Sequence, residues 1–314
     1  MASAGRPTLV SALLIFLYWL TACTNIPPIP QDIDLFQRVT VNTVLVDGHR
    51  MAYVDLGTGP PVMLIHGFGG SMWQWEHQQI ALSAQHRVIT VDLLGSGLSD
   101  KPEINYSPTH LINFFRSFME AIGVQKAALI GNSMGAGLAI GMALTYPEHV
   151  TKLVLIAGFP SDLRNKIASP KYKTFINYRP PVWLANLGNF FAGRWATKSM
   201  LSEVVYNQDL LTPAVIERSY WNRSQPGFLQ PLYSMLNHFD EWETIYAVRL
   251  HEIRQPTLIL WGAEDKVLPI AVGHELHKTI PGSTFQEIAQ TGHIPQWEKP
   301  SVVNPIILHF LAEQ

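Results

Sequence analysis

The sequence predicts an α/β fold: a mostly parallel sheet covered by helices on both faces. Three observations carry this reading. Short apolar runs of strand length alternate with helical patterns over residues 39–160 and 246–314. Those runs are almost wholly apolar, as strands buried on both faces are. Several of them stop at glycine-rich loops, where open sheets of this class bind ligands. In chain order, 39–46 and 50–54 read as strands joined at the turn signal Asp47-Gly48. Residues 61–65, 87–92, 127–130 and 153–157 follow as strands. Residues 109–122 place Ile112, Phe115, Phe118, Met119 and Ile122 at helical spacing, and 138–146 form a second helix that Pro147 ends. Residues 257–261 and 284–288 are two more strands with a helix between them near 271–279, and 303–311 closes the chain as a helix.

The chain has 314 residues, 47% of them hydrophobic, so a large core is available and global disorder is excluded. Its net charge of −2 excludes a nucleic-acid binder that works by neutralising phosphates. Cys23 is the single cysteine, which rules out an intramolecular disulfide and a cysteine-rich metal site.

Residues 1–22 read as a signal peptide, with Arg6 before an apolar run over 9–20. Leu20-Thr21-Ala22-Cys23 resembles the lipobox of bacterial lipoproteins, which implies a lipidated Cys23. Residues 23–38 then form a spacer with three prolines within 25–31. The expectation is an exported, membrane-anchored lipoprotein of the bacterial envelope, with a secreted soluble or signal-anchored form as the alternative.

Gly131-Asn132-Ser133-Met134-Gly135 has the G-x-S-x-G pattern of a nucleophile elbow, with a strand before it and a helix after it. Asp265, in Trp261-Gly262-Ala263-Glu264-Asp265, follows one later strand, and His293, in Gly292-His293, follows the next. A serine hydroxyl is a poor nucleophile at neutral pH. It needs a general base, here His293, and the base needs an acid to fix its tautomer. Asp265 is the expected acid and Glu264 the alternative. The loop His66-Gly67-Phe68-Gly69-Gly70 lies upstream of the elbow, which assigns an oxyanion hole to the backbone N–H groups of Phe68 and Met134. His66 is expected to brace its loop.

Asp92-Leu93-Leu94-Gly95-Ser96-Gly97-Leu98-Ser99 completes a set of ordered motifs. Together they resemble the α/β-hydrolase fold family, in its cap-bearing, epoxide-hydrolase-like branch. The resemblance implies a core over 39–160 and 246–314 and a helical cap over 161–245. Asp92 and Ser99 are expected to brace loops. No cofactor or metal is called for.

Epoxide hydrolases of this branch use a carboxylate nucleophile, a part Ser133 does not play in the same way. The expected reaction is therefore hydrolysis of a carboxylic ester of an apolar, lipid-like substrate through an acyl-enzyme. One alternative is the meta-cleavage C–C hydrolases, which G-N-S-M-G and Gly292-His293 also resemble. The sequence departs from that group at Ala136, where a third glycine is usual. Its cap arginine for a substrate carboxylate would be Arg218 or Arg223. A second alternative is a non-enzymatic small-molecule receptor. The cap holds fourteen aromatic residues, of which Trp183, Phe190, Phe191, Trp195, Trp221, Phe228 and Trp242 are candidates for the pocket wall. Residues 161–200 carry seven basic side chains against Asp162 alone, so the cap is a candidate membrane-facing surface.

Overall fold

The computed structural model describes residues 39–159 and 162–313. The signal peptide, the lipobox and the whole spacer lie outside the described residues. One sheet of eight strands organises the body, in the order β1-β2-β4-β3-β5-β6-β7-β8. The strands are β1 (Val41–Val46), β2 (His49–Leu56), β3 (Pro61–Ile65), β4 (Arg87–Val91), β5 (Ala127–Asn132), β6 (Val150–Ile156), β7 (Thr257–Gly262) and β8 (Thr284–Ile288). β1 pairs antiparallel with β2, and β2 with β4. All other pairings, from β4 through β3 to β8, are parallel. Asp47 and Gly48 both adopt positive φ in the β1–β2 turn, as a tight hairpin demands.

The central parallel strands are largely apolar because helices cover both faces, whereas β8 at the sheet edge is mixed and mostly exposed. On one face lie α1 (Glu76–Ser83) and, near the chain end, α11 (Pro300–Ala312). Their Leu82, Val303 and Ile307 pack on Leu64, Ile130 and Val154. On the other face lie α2 (Pro108–Ala121), α3 (Met134–Thr145) and α9 (Ile270–Thr279), which share the larger core. α2 starts where the sequence supplies an N-cap: the Ser107 hydroxyl accepts from the His110 amide and Pro108 opens the helix.

Between β6 and β7 the chain leaves the sheet. This segment contains α4 (Leu163–Lys166), α5 (Pro170–Asn177), α6 (Val182–Val204), α7 (Pro213–Ser224) and α8 (Leu229–Asn237). Ser169 and Thr212 cap α5 and α7 with their hydroxyls, each followed by a proline at the first helical position. A short α10 (Pro295–Glu298) follows the loop after β8. The order of strands reverses around β3, and the parallel strands all end at the edge that the inserted helices cover. That edge is where an open α/β sheet offers a crevice. Among the described residues, no helix is long and apolar enough to cross a membrane.

Candidate active site

Ser133 stands between the last residue of β5 and the first of α3, at φ 53° and ψ −118°. A non-glycine residue rarely holds that backbone, and such strain persists only where the surroundings fix it. Here they do. The Ser133 amide donates to the Ile156 carbonyl at 2.9 Å, and its own carbonyl accepts from Ala136 and Gly137 at 3.0 and 3.1 Å. The flanking glycines are a steric requirement. A Cβ on Gly131 would lie 2.3 Å from the Gly135 carbonyl carbon, and one on Gly135 would lie 2.2 Å from the Ile65 oxygen.

His293 and Asp265 meet across the ends of β7 and β8. His293 Nδ1 is 2.7 Å from Asp265 Oδ2, and both side chains are buried. The carboxylate acts as acceptor, so Nδ1 carries the proton and Nε2 keeps its lone pair. Asp265 Oδ1 accepts the Val267 and Leu268 amides at 2.8 and 3.0 Å, which fixes the carboxylate in turn. Glu264, the alternative acid, instead accepts the Thr291 amide at 3.1 Å and braces the loop before His293. Ser133 and His293 line the same cavity but are not hydrogen-bonded to each other. Such contacts are often long without substrate and tighten when it binds.

Two side chains that sequence reasoning missed hold this arrangement. Asn132 Nδ2 donates to the His293 carbonyl at 2.9 Å and to Ile156 at 3.2 Å, and its Oδ1 accepts from Gln74 Nε2. The residue before Ser133 thus ties the bend to the histidine loop. Glu298 accepts three amides, from Gly292 at 2.6 Å, Tyr206 at 2.8 Å and Asn207 at 3.0 Å. It links the histidine loop to the end of the cap, and burial pushes its pKa up. The His293 amide adds a bond to the Val204 carbonyl at 2.7 Å. Neither partnership leaves a periodic signal, because both join segments distant in sequence.

The loop from His66 to Gly70 passes close to Ser133: a Cβ on Gly67 would lie 3.2 Å from Ser133 Cβ. Its carbonyls are tied up. Gly67 accepts the Gly70 amide at 3.0 Å, and Asn222 Nδ2 donates to Gly69 and Gly70 at 3.0 and 3.1 Å. Phe68 lines the cavity, and Met134 is the first residue of α3. His66 Nε2 accepts the Leu93 amide at 3.1 Å, and its Nδ1 lies 2.8 Å from the Gly67 carbonyl. The ring is therefore neutral, and burial lowers its pKa to about 4. Asp92 accepts the Met72 and Leu98 amides at 2.6 and 2.7 Å, and burial raises its pKa to about 6. The Ser99 hydroxyl donates to the Asp92 carbonyl at 2.5 Å. These three residues brace loops, as their positions in the motifs suggested.

The cavity over Ser133 has a volume of about 340 Å³. Its aromatic lining comprises Phe68, Trp73, Phe159, Tyr172, Phe175, Phe228 and Phe239. Of the seven cap aromatics expected there, Phe228 alone is among the lining residues. Trp183, Phe190, Phe191 and Trp195 are instead exposed: the cavity is lined only by the C-terminal part of α6, through Ala196, Thr197, Met200, Leu201 and Val204, and these aromatics all precede it. Trp221 and Trp242 are buried in the body without facing the cavity. Arg218 is spoken for: its guanidinium makes two 3.0 Å bonds to Glu76 and stacks 4.6 Å from the Trp73 ring centroid. Arg223 lines the cavity and has no carboxylate partner among the described residues. The cap's excess of basic residues is also smaller than its sequence suggested. Arg164, Lys166, Lys171 and Arg194 are paired with Asp240, Glu275, Glu203 and Glu217, all of which lie beyond residue 200.

Residues 60–300 match the family model described as alpha/beta hydrolase fold. The chain belongs to that family. Among hydrolases of this fold, it is 30% identical over 274 residues to a 2-hydroxy-6-oxononadienedioate/2-hydroxy-6-oxononatrienedioate hydrolase of Paraburkholderia phymatum. That alignment covers 84% of this chain and 91% of the relative. It is also 30% identical to mouse epoxide hydrolase 4, over 85% of this chain and 77% of that one. The structure of a meta-cleavage product hydrolase from Pseudomonas fluorescens superposes with a TM-score of 0.76 at 28% identity, covering 88% and 98% of the two chains. The protein is therefore an α/β-hydrolase-fold hydrolase. A hydroxyl on a sharp bend, an imidazole with a fixed tautomer and a buried carboxylate are the parts that nucleophilic hydrolysis needs.

Proposed function

We propose that this hydrolase cleaves a carbon–carbon bond in a vinylogous diketone that carries a carboxylate. The relatives of the meta-cleavage type favour this reading over the ester hydrolysis expected from the sequence. The observation that carries it is Arg223. Arg223 is a half-buried member of a largely apolar cavity wall, and a cation partly withdrawn from water without a carboxylate partner is costly unless a ligand supplies the counter-charge.

In this mechanism His293 Nε2 takes the proton of Ser133 Oγ as the oxygen adds to the reacting ketone. The Phe68 and Met134 amides hold the oxyanion. The C–C bond then breaks. Its electron pair passes onto the adjacent carbon as an enolate, and protonated His293 delivers the proton there. An acyl group remains on Ser133. Water, deprotonated by His293, attacks it and releases a carboxylic acid, returning the proton to the serine. Arg223 holds the substrate carboxylate at the far end throughout.

A ring-fission diketone assayed beside p-nitrophenyl esters of graded acyl length tests the proposal. The expected result is continuous turnover of the diketone, abolished in Ser133→Ala with a loss of about 10⁶ if the triad acts as a unit. Fast turnover of the esters with none of the diketone would overturn it. That outcome would support the second reading, hydrolysis of an ester with an apolar acyl group, which the aromatic wall of Phe159, Phe175, Phe228 and Phe239 would suit. A stoichiometric burst with no turnover of either would indicate a receptor.

A further inference from the structure

We propose that the outer face of α6 is a docking surface for the anionic headgroup region of a phospholipid bilayer. Trp183, Leu187, Phe191 and Trp195 recur every four residues and so form one ridge along the helix, with Leu184 beside it. All are exposed: Trp183 by 68%, Phe191 and Trp195 by 74% each. These three aromatics leave roughly 400 Å² of apolar surface in water, comparable by themselves to the largest apolar patch of an ordinary soluble monomer. The C-terminal part of the same helix lines the cavity through Ala196, Met200 and Leu201. α6 thus carries apolar side chains toward the cavity and also along an exposed ridge.

Charge selects the occupant. No Asp or Glu occurs between residues 163 and 202. Arg164, Lys166, Lys171 and Arg194 are taken up in the four ion pairs described above. Lys173, Arg179 and Lys198 remain exposed with no carboxylate partner among the described residues; Arg179 is held only by the Asn237 side-chain oxygen. An apolar, tryptophan-bearing ridge with Lys198 on the same helix, in a segment rich in cations, fits the interface of an anionic bilayer, where indole rings sit at headgroup level and each nearby cation adds attraction. A second copy of this chain would bring like charges against like.

The test uses the full chain with Cys23→Ser, so that a single introduced cysteine can be labelled with an environment-sensitive fluorophore. Phe191→Cys reports on the ridge, and Leu45→Cys, on the exposed β1 strand, reports on a remote surface. Vesicles of phosphatidylcholine with phosphatidylglycerol should shift the emission at position 191 to the blue and leave position 45 unchanged. Lys173→Glu, Arg179→Glu and Lys198→Glu combined should raise the anionic lipid needed for half the shift at least tenfold. Turnover of a soluble chromogenic substrate should stay at the parent level, which confirms folding. Equal shifts at both positions, or none at 191, would overturn the proposal. So would a shift at 191 that grows with protein concentration without vesicles, which would mark a second copy. A shift present in the full chain without lipid, and lost when residues 1–22 are removed, would assign the ridge to the chain's own leader and also overturn it. The readout does not depend on the reaction proposed above.

Discussion

Nδ1 of His293 stands 2.7 Å from Oδ2 of Asp265, while the other oxygen of that carboxylate accepts two amides. Asp265 is therefore both immobile and fully used, and it dictates which imidazole nitrogen faces the nucleophile. Asp265→Asn can keep the Val267 and Leu268 bonds through its oxygen, but it turns an NH₂ group toward Nδ1. The imidazole proton then moves to Nε2, where it cannot accept from Ser133. kcat should fall about 10³–10⁴-fold with the melting temperature nearly unchanged. A loss under tenfold, measured at saturating substrate, would remove Asp265 from the mechanism.

Arg223 should matter only to substrates with a negative charge. Arg223→Met should lower kcat/KM for a carboxylate-bearing diketone about 10–150-fold, the equivalent of about 1.5–3 kcal/mol for a charge-assisted hydrogen bond. Neutral p-nitrophenyl esters should lose less than threefold. Equal losses on both substrates would mean that the side chain shapes the cavity without binding charge.

Arg218 and Glu76 join the cap to the body through a buried bidentate pair, to which Trp297 Nε1 adds a 2.9 Å bond. Glu76→Gln leaves the guanidinium buried without its counter-charge. The expected cost is about 3–5 kcal/mol, as when one partner of a buried ion pair is removed. Chemical denaturation should show this as a lower midpoint at unchanged slope. A change under 1 kcal/mol would mean that water reaches the pair freely.

His66 and Asp92 give the acid limb of stability an unusual shape. The His66 pKa falls from 6.5 to about 4 on folding, so its contribution is present above pH 6.5 and lost as pH drops through 4. The Asp92 pKa rises from 3.8 to about 6, so its contribution is present below pH 3.8 and lost as pH rises through 6. Each amounts to about 3 kcal/mol, and over the shared window the two nearly cancel. Asp92→Asn removes one of them. Its stability should fall more steeply than wild type between pH 6.5 and 4, read as the denaturation midpoint at several pH values. Parallel curves for the two proteins would contradict this.

The elbow was legible because its constraint is local. A serine held at φ 53° between glycines that admit no Cβ has to appear as G-x-S-x-G, and the strand before it and helix after it carry their own periodicities. Asp265 and His293 were legible because each follows a strand that the sheet aligns at one edge. The alternation of apolar runs and helical patterns likewise specified the parallel sheet.

Other choices needed the third dimension. Composition alone assigned the tryptophans of α6 to the pocket, yet only the C-terminal part of that helix lines the cavity and both tryptophans are exposed. Arg218 and Arg223 lie within two turns of one helix, yet Glu76, 142 residues from Arg218 in sequence, captures one and leaves the other in the cavity. Local steric and periodic rules are written into neighbouring residues and can be read from them. Which charge meets which, and which face of a helix finds a partner, depends on segments that only folding brings within a few ångströms.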